Sequence, residues 1–273
     1  MVSAKGIEEF PPDGATEVVR IGEFTGPLLF DTTNRVLHLK SDVNARNAIY
    51  EQVSGLISQS SPNVELRVSN DGNADFINML PNIPGAKNII LKGKQVEAER
   101  LDELFDKYRH LDSAIIVPEI SGIFYVNSQI YNVPNLACTH PARLSVSLLR
   151  YFTGENLRLG EGRIDCWEIL AFLRKWISGE GYQNLKTLWI DLPQDKFFNS
   201  YPVYNRFHFA RWGANRPQVY MYDVGVFGSR MVKVPIDLEL YHEVVRESDK
   251  KLACFSVFAN YINFFVWDEE QQG

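Results

Sequence analysis

Short apolar pairs with a single residue between them recur along this chain. They are Leu37/Leu39, Leu66/Val68, Ile89/Leu91, Ile115/Val117, Leu136/Cys138, Leu157/Leu159 and Leu188/Ile190. Their first members stand 29, 23, 26, 21, 21 and 31 residues apart. Apolar residues at every second position predict a strand with one buried face. A spacing of about 20–29 residues is that of leucine-rich repeats, whose core reads Leu-x-x-Leu-x-Leu. The last copy, "LKTLWI" from Leu185 to Ile190, fits that core outright, and the others fit it loosely. The repeat is therefore read as degenerate.

Between the pairs the period changes to that of helices. Val43 to Ser58 places Ile49, Val53, Leu56 and Ile57 on one face, and Val96 to Tyr108 does so with Leu101, Leu104, Phe105 and Tyr108. The third helix is the most distinctive. Asp165, with Glu168 three residues on, predicts a capped start, and Gly179 a left-handed stop. Trp167, Leu170, Leu173 and Ile177 form one apolar stripe, and Ile169, Phe172 and Trp176 an adjoining one. So wide an apolar arc predicts a helix sandwiched between the repeats and the C-terminal segment, with Trp167 and Trp176 as its structural wedge.

After "LPQD" near residue 193 the rhythm changes. "QVYMYDVGVF" (218–227), "MVKVPI" (231–236), "LYHEVVRE" and "KLACFSVFANYINFFVW" read as antiparallel strands, with turns at "SDKK" (248–251) and around Ala259 and Asn260. The expected fold class is α/β: a leucine-rich-repeat-like array of parallel strands backed by helices, followed by an antiparallel β layer. Three regions are expected: a flexible tail over 1–27, suggested by "EEFPPDGATE", the array over 28–192, and a C-terminal β region over 193–273 packed on the array.

The composition narrows the function. A formal charge of −6 with no Lys/Arg run argues against nucleic acid as the main partner. "RFHFARWGANR" (206–216) has aromatic interleaving that suits a stacked base, but reads more simply as a solvated turn between strands. No apolar run is long enough to cross a membrane, and no signal-peptide core opens the chain. Cys138, Cys166 and Cys254 are scattered and read as free thiols in a reducing compartment, so a cytoplasmic or nuclear location is expected, not a secreted one.

Catalytic and metal patterns fail one by one. "HEVVR" (242–246) opens like a zinc-protease helix, but Arg246 stands where the second His must be. "DGNADF" (71–76) opens like a calcium loop, but Phe76 replaces the Gly and Asn82 the closing Glu. No phosphate loop, dinucleotide fingerprint or nucleophile elbow occurs. The expectation is a non-enzyme with no cofactor and no metal; a spatial cluster of His, carboxylate and nucleophile would revive an unrecognised enzyme.

Two segments carry a resemblance. "DCWEILAFLRKWISGEGYQNLKTLWIDL" (165–192) is similar to the hallmark helix and strand of the nematode F-box-associated domain, type 2, through Ile169, Phe172, Leu173, Trp176, Ile177, Gly179, Leu185 and Leu188. "HEVVRESDKKLACFSVFANYINFFVWDE" (242–269) resembles that family's closing hairpin through Val244, Arg246, Asp249, Ala253, Val257, Phe265, Val266 and Trp267, with Lys250 in place of the turn Gly. The resemblance implies a protein-recognition module, the target-binding part of a ubiquitin-ligase substrate receptor. Its F-box would dock on the cullin-ligase adaptor. Residues 1 to 50 show no F-box pattern, so the adaptor would be reached through a missing or separate F-box. The alternative is an F-box-less inhibitor, decoy or scaffold that binds a protein without ubiquitination.

Strand alternation nominates the partner-binding residues. The positions between the core leucines point away from the helices. They are His38, Arg67, Ile90, Arg158 and Trp189, with Asp191 two residues further on. Trp and Arg are the types most enriched at binding hot spots.

Overall fold

The computed structural model describes residues 3–7, 17–21, 24–31, 36–40, 64–70, 77, 80, 86–193, 198–207, 209–223, 231–237, 239–258 and 260–267. Side chains are described at Val68 and, except at Tyr222, Asp223 and 231–233, from Ile77 onward. The chain divides into two units, residues 1–64 with 74–85, and residues 65–73 with 86–273.

The first unit holds a four-stranded sheet of β1 (Ser3–Ile7), β2 (Glu17–Ile21), β3 (Phe24–Asp31) and β4 (Val36–Lys40), in the order β1-β4-β3-β2. β1 runs parallel to β4, and the other pairs are antiparallel. Two expectations are corrected by this sheet. Where a flexible tail is expected over 1–27, the described residues 3–7, 17–21 and 24–27 form strands: "EVVRI" is rich in β-branched residues and pairs with β3, and β1 pairs with β4. The Leu37/Leu39 pair is a strand, but of this sheet and not of the repeat array, so His38 belongs to a different sheet from the other nominated residues. The helix expected over Val43 to Ser58 and the loop over 71–76 lie outside the described residues.

The second unit is mixed α/β. A large, mostly parallel sheet is built from β5 (Val64–Asn70), β6 (Ala86–Gly93), β7 (Gln95–Glu97), β8 (Ser113–Ser121), β9 (Asn135–His140), β10 (Asn156–Leu159) and β11 (Thr187–Asp191). Its crossovers carry α1 (Ala98–Lys107), α2 (Ser145–Tyr151) and α3 (Cys166–Ser178). From β6 to β11 the neighbouring strands β6, β8, β9, β10 and β11 pair in parallel. Then come α4 (Tyr201–Arg206), β12 (Ala210–Arg211), β13 (Val219–Asp223), β14 (Met231–Pro235), β15 (His242–Val245), β16 (Leu252–Val257) and β17 (Tyr261–Trp267). No helix among the described residues is long and apolar enough to cross a membrane.

The helix-side face of the parallel strands is the core. Ile89, Ala114, Leu136, Leu159, Leu188 and Ile190 are fully buried there. In β8 Ala114 and Ile116 are buried while Ile115 and Val117 are half-buried, so the expected Ile115/Val117 pair is one residue out of step. "SAIIVPEI" is apolar at consecutive positions, which removes the alternation that would have set the face, and a one-residue slip exchanges the two faces.

The antiparallel strands do not simply stack on the array. β17 pairs with the free side of β11, and the order β12-β15-β16-β17-β11 extends the same sheet. The part that does cover a face is the β13–β14 ribbon. Its Tyr220 stacks on Phe265 at 4.7 Å and donates its hydroxyl to the Val266 carbonyl, closing a cluster with Trp212, Tyr241, Cys254 and Trp267.

Helix α3 covers the other face of these strands. Asp165 caps it, accepting from the N–H groups of Trp167 and Glu168 at 2.9 and 3.1 Å. Glu168 does not complete the reciprocal capping box; its carboxylate turns to Arg150. Gly179 ends the helix at φ 77°. Phe172 and Trp176 meet Phe264 of β17 edge-on at 5.1 and 4.9 Å. Trp176 is fully buried, but Trp167 is 68% exposed, which corrects its assignment to the wedge. At 3.6 residues per turn, Trp167 stands half a turn from Trp176, among exposed Ala171, Arg174 and Ser178.

The turn after β15 locks onto this helix. Buried Arg246 places its guanidinium 5.1 Å over the Trp176 ring and donates to both carboxylate oxygens of Asp249 at 2.9 and 2.8 Å. The Glu247 N–H donates to the Ile177 carbonyl at 2.7 Å, and a Cβ at Gly179 would collide with the Ser248 hydroxyl.

Candidate functional site

Because side chains alternate, the residues between the buried leucines share the sheet face opposite α1–α3. The register aligns them into one row: Ile90 beside Ile115, Ile115 beside Ala137, Ala137 beside Arg158, Arg158 beside Trp189, and Trp189 beside Asn263. Ile90, Ile115 and Ala137 are half-buried, Arg158 is exposed and Trp189 half-buried.

At the end of the row lies a compact constellation. The Trp189 indole N–H donates to one Asp191 carboxylate oxygen at 2.8 Å, and Arg158 donates to the other at 3.3 Å. The Arg158 guanidinium sits 5.5 Å over the indole. Tyr261 stacks against the other side of the cluster, its ring 6.1 Å from that of Trp189 at 25°, and Phe265 meets Trp189 edge-on at 6.3 Å. Each contact is modest: about 0.5–1 kcal/mol for an exposed cation–π pair and up to about 1 kcal/mol for an exposed ion pair. Together they hold an indole and a guanidinium in fixed orientations at the surface, so a partner meets groups whose rotamer freedom is already lost.

Two positions before Ile90, Ile115, Ala137, Arg158 and Trp189 the strands carry polar side chains, and these bond to each other across the sheet. Ser113 donates to Asn88 at 2.5 Å, Asn156 to Asn135 at 2.6 Å, Thr187 to Asn156 at 2.8 Å, and Asn135 to the Asp112 carbonyl at 2.8 Å. This ladder satisfies buried Ser113, Asn135 and Thr187 and pins the register that brings the row together.

Of the nominated residues, the structure unites Arg158, Trp189 and Asp191 and places Ile90 in the same row. Arg67 lies on β5 and His38 on β4, and the side chains of both are outside the described residues. Sequence reasoning misses Tyr261 and Ile115. Tyr261 opens an aromatic strand, but nothing local says that this strand pairs with β11; Ile115 reads from the apolar pairs as a buried-face residue.

A second concavity lies at the far end of the sheet. Tyr204, Phe207, Phe209, Ala210 and His242 line a cup of about 500 Å³. Of the groups with catalytic potential, His140 Nδ1 lies 3.0 Å from a Glu161 carboxylate oxygen on the surface. Among the described residues no hydroxyl or thiol bonds to this pair, and no group of three or more His, Cys, Asp or Glu side chains is placed to hold a metal ion. Cys138 and Cys254 are buried free thiols, the latter pushed up to about 12 by burial.

No family model matches this chain, and no curated protein or solved structure matches it either.

Proposed function

We propose that the chain recognises a protein partner through the sheet face opposite α1–α3, around Arg158 and the half-buried Trp189, as the target-binding part of an F-box-type ubiquitin-ligase substrate receptor. The observation that carries the recognition half is the constellation itself: an indole and a guanidinium, the side chains most used at interface hot spots, are held by one carboxylate beside a half-buried apolar row. A row of side chains along a sheet face suits a protein surface better than a small molecule, which is normally enclosed. The ligase half rests on the resemblance. In its support, the two segments that carry it meet in space, Trp176 of the first under Arg246 of the second.

Affinity purification of the chain from native extract, with and without proteasome inhibition, tests both halves. The expected result is a partner that accumulates under inhibition together with the cullin adaptor, and whose capture Trp189→Ala and Arg158→Glu each weaken by about tenfold, the loss typical of a hot-spot residue. Arg158 is exposed, so its variant separates lost contact from lost folding. A partner recovered equally in both conditions without the adaptor would leave a decoy or scaffold and remove the ligase half. Capture indifferent to both substitutions would remove this face.

A further inference from the structure

The stretch "RFHFARWGANR", which composition reads as a solvated turn, builds the aromatic cup. Its Phe207 and Phe209 stack on each other at 5.2 Å. Tyr204 from α4 lies 4.8 Å from the His242 ring and 6.5 Å from Phe209, edge-on to the latter. The Tyr204 hydroxyl accepts the Val257 N–H at 3.1 Å, so the ring is fixed and offers its face. His242 stands on β15 beside Phe255 of β16, and Phe255 beside Phe264, so the cup lies on the helix side of the sheet, opposite the Trp189 face.

Three features define what would fit. First, the Nδ1 atom of His242 is buried and has no hydrogen-bond partner among the described residues. Burial, and then the charge of Arg211, hold His242 below its usual range, so the ring adds an uncharged face to the lining at neutral pH. Second, the cations at the rim are Arg211, opposite His242 in the β12–β15 register, and Arg206, next to Phe207. Both are exposed, and among the described residues neither makes an ion pair. A cage for a quaternary ammonium is thereby disfavoured, since the nearest formal charge has the wrong sign. Third, β12 is the terminal strand of the sheet order among the described residues, and it runs along the rim through Ala210 and Arg211. A terminal strand offers backbone donors and acceptors to an added strand, whose alternate side chains then enter neighbouring pockets.

We propose that this cup is a docking pocket for an aromatic side chain of an acidic, extended segment of a partner protein, which adds to the edge of β12. The ring of the segment packs on the aromatic surface that Tyr204, Phe207, Phe209 and His242 form together, and flanking carboxylates meet Arg206 and Arg211. A nucleotide shares the ring and the negative charge, but it would need a phosphate cradle. The chain has neither a glycine-rich phosphate loop nor a basic run. The choice of a protein as occupant rests on the proposed recognition function; the pocket itself does not involve the Trp189 face.

Titration of the purified full chain with short peptides is the test, followed by calorimetry and by the ring resonances of labelled Phe, Tyr and His. The probes are acetyl-Asp-Glu-Trp-Glu-Asp-amide, its Trp→Ala counterpart, its Lys-flanked counterpart, and AMP. The acidic Trp peptide should bind best, shifting His242 and Phe209. Loss of the ring should weaken binding by about tenfold or more, the usual scale for an aromatic anchor. Arg211→Glu, at an exposed position, should weaken it about fivefold with the thermal midpoint kept, and Phe209→Ala should abolish the shifts. AMP binding as tightly as the peptide would overturn the peptide assignment in favour of a nucleotide. Equal binding of the Lys-flanked peptide would overturn the charge argument, and no response to any probe at millimolar concentration would overturn the pocket. Such a failure with Trp189-dependent capture intact would remove this pocket alone.

Discussion

Trp176 and Trp167 occupy one helix and meet opposite fates. Trp176 is enclosed by Phe264 and the Arg246 guanidinium, whereas Trp167 faces solvent. Trp176→Ala leaves a cavity that its neighbours cannot close and should cost roughly 3–5 kcal/mol. Trp167→Ala should stay within about 0.5 kcal/mol, as exposed substitutions do. Denaturant titration of the two variants checks the contrast; equal losses would mean that the helix packs differently. Arg246 carries the second residue-scale expectation. Its hydrogen bonds, and then its charge, hold the Asp249 carboxyl below its usual range. A carboxyl depressed on folding contributes stability above its unfolded pKa, and that contribution is lost as pH falls through the folded value. The Asp249→Asn variant should therefore be less stable than the parent at neutral pH and converge on it in acid below about pH 4, where the unfolded carboxyl protonates. Thermal midpoints across that range would show it. A constant gap would mean that the pair adds nothing beyond its neutral hydrogen bonds.

At the scale of elements, the parallel strands depend on a polar seam as well as on leucines. Asn156 is its central rung: it donates to Asn135 and accepts from Thr187, which is buried. Asn156→Ala leaves partners of both kinds without their bonds and should cost about 1–3 kcal/mol, more than the net worth of one hydrogen bond. Hydrogen exchange should then accelerate in β9, β10 and β11 before it does in β16 and β17; uniform acceleration would mean that the ladder has no local role. Helix α3 is the counterpart among helices. Its boundaries are written in its own residues, Asp165 at one end and Gly179 at the other, and the structure keeps both. What Gly179 also does is non-local, since its missing side chain makes room for Ser248 in the turn after β15.

At the scale of the second unit, one sheet changes from parallel to antiparallel pairing at the β11–β17 junction, and the candidate sites derive from that change. β17 brings Tyr261 and Phe265 to Trp189 on one face and Phe264 to Trp176 on the other. At the antiparallel end, β12 and β15 carry the wall of the aromatic cup. The two sites lie on opposite faces of one framework, so a partner could occupy one without obstructing the other. This arrangement makes the capture and peptide experiments separable.

The sequence by itself determined the alternation of strand and helix, the capped ends of α3, the turn at 248–251 and the outward direction of Arg158 and Trp189. These come from consecutive residues, through a period of two or of 3.6 and through the local chemistry of caps and turns. It also held Trp167's place half a turn from Trp176, and the polar Asn88, Asn135, Asn156 and Thr187 immediately before their strand pairs. Only the tertiary structure decided that β4 belongs to another sheet, that β8 turns Ala114 and Ile116 inward, and that β17 lies beside β11. Backbone hydrogen bonds between strands use the same donor and acceptor at every residue, so pairing partners are chosen by the packing of the whole sheet and not by any local signal.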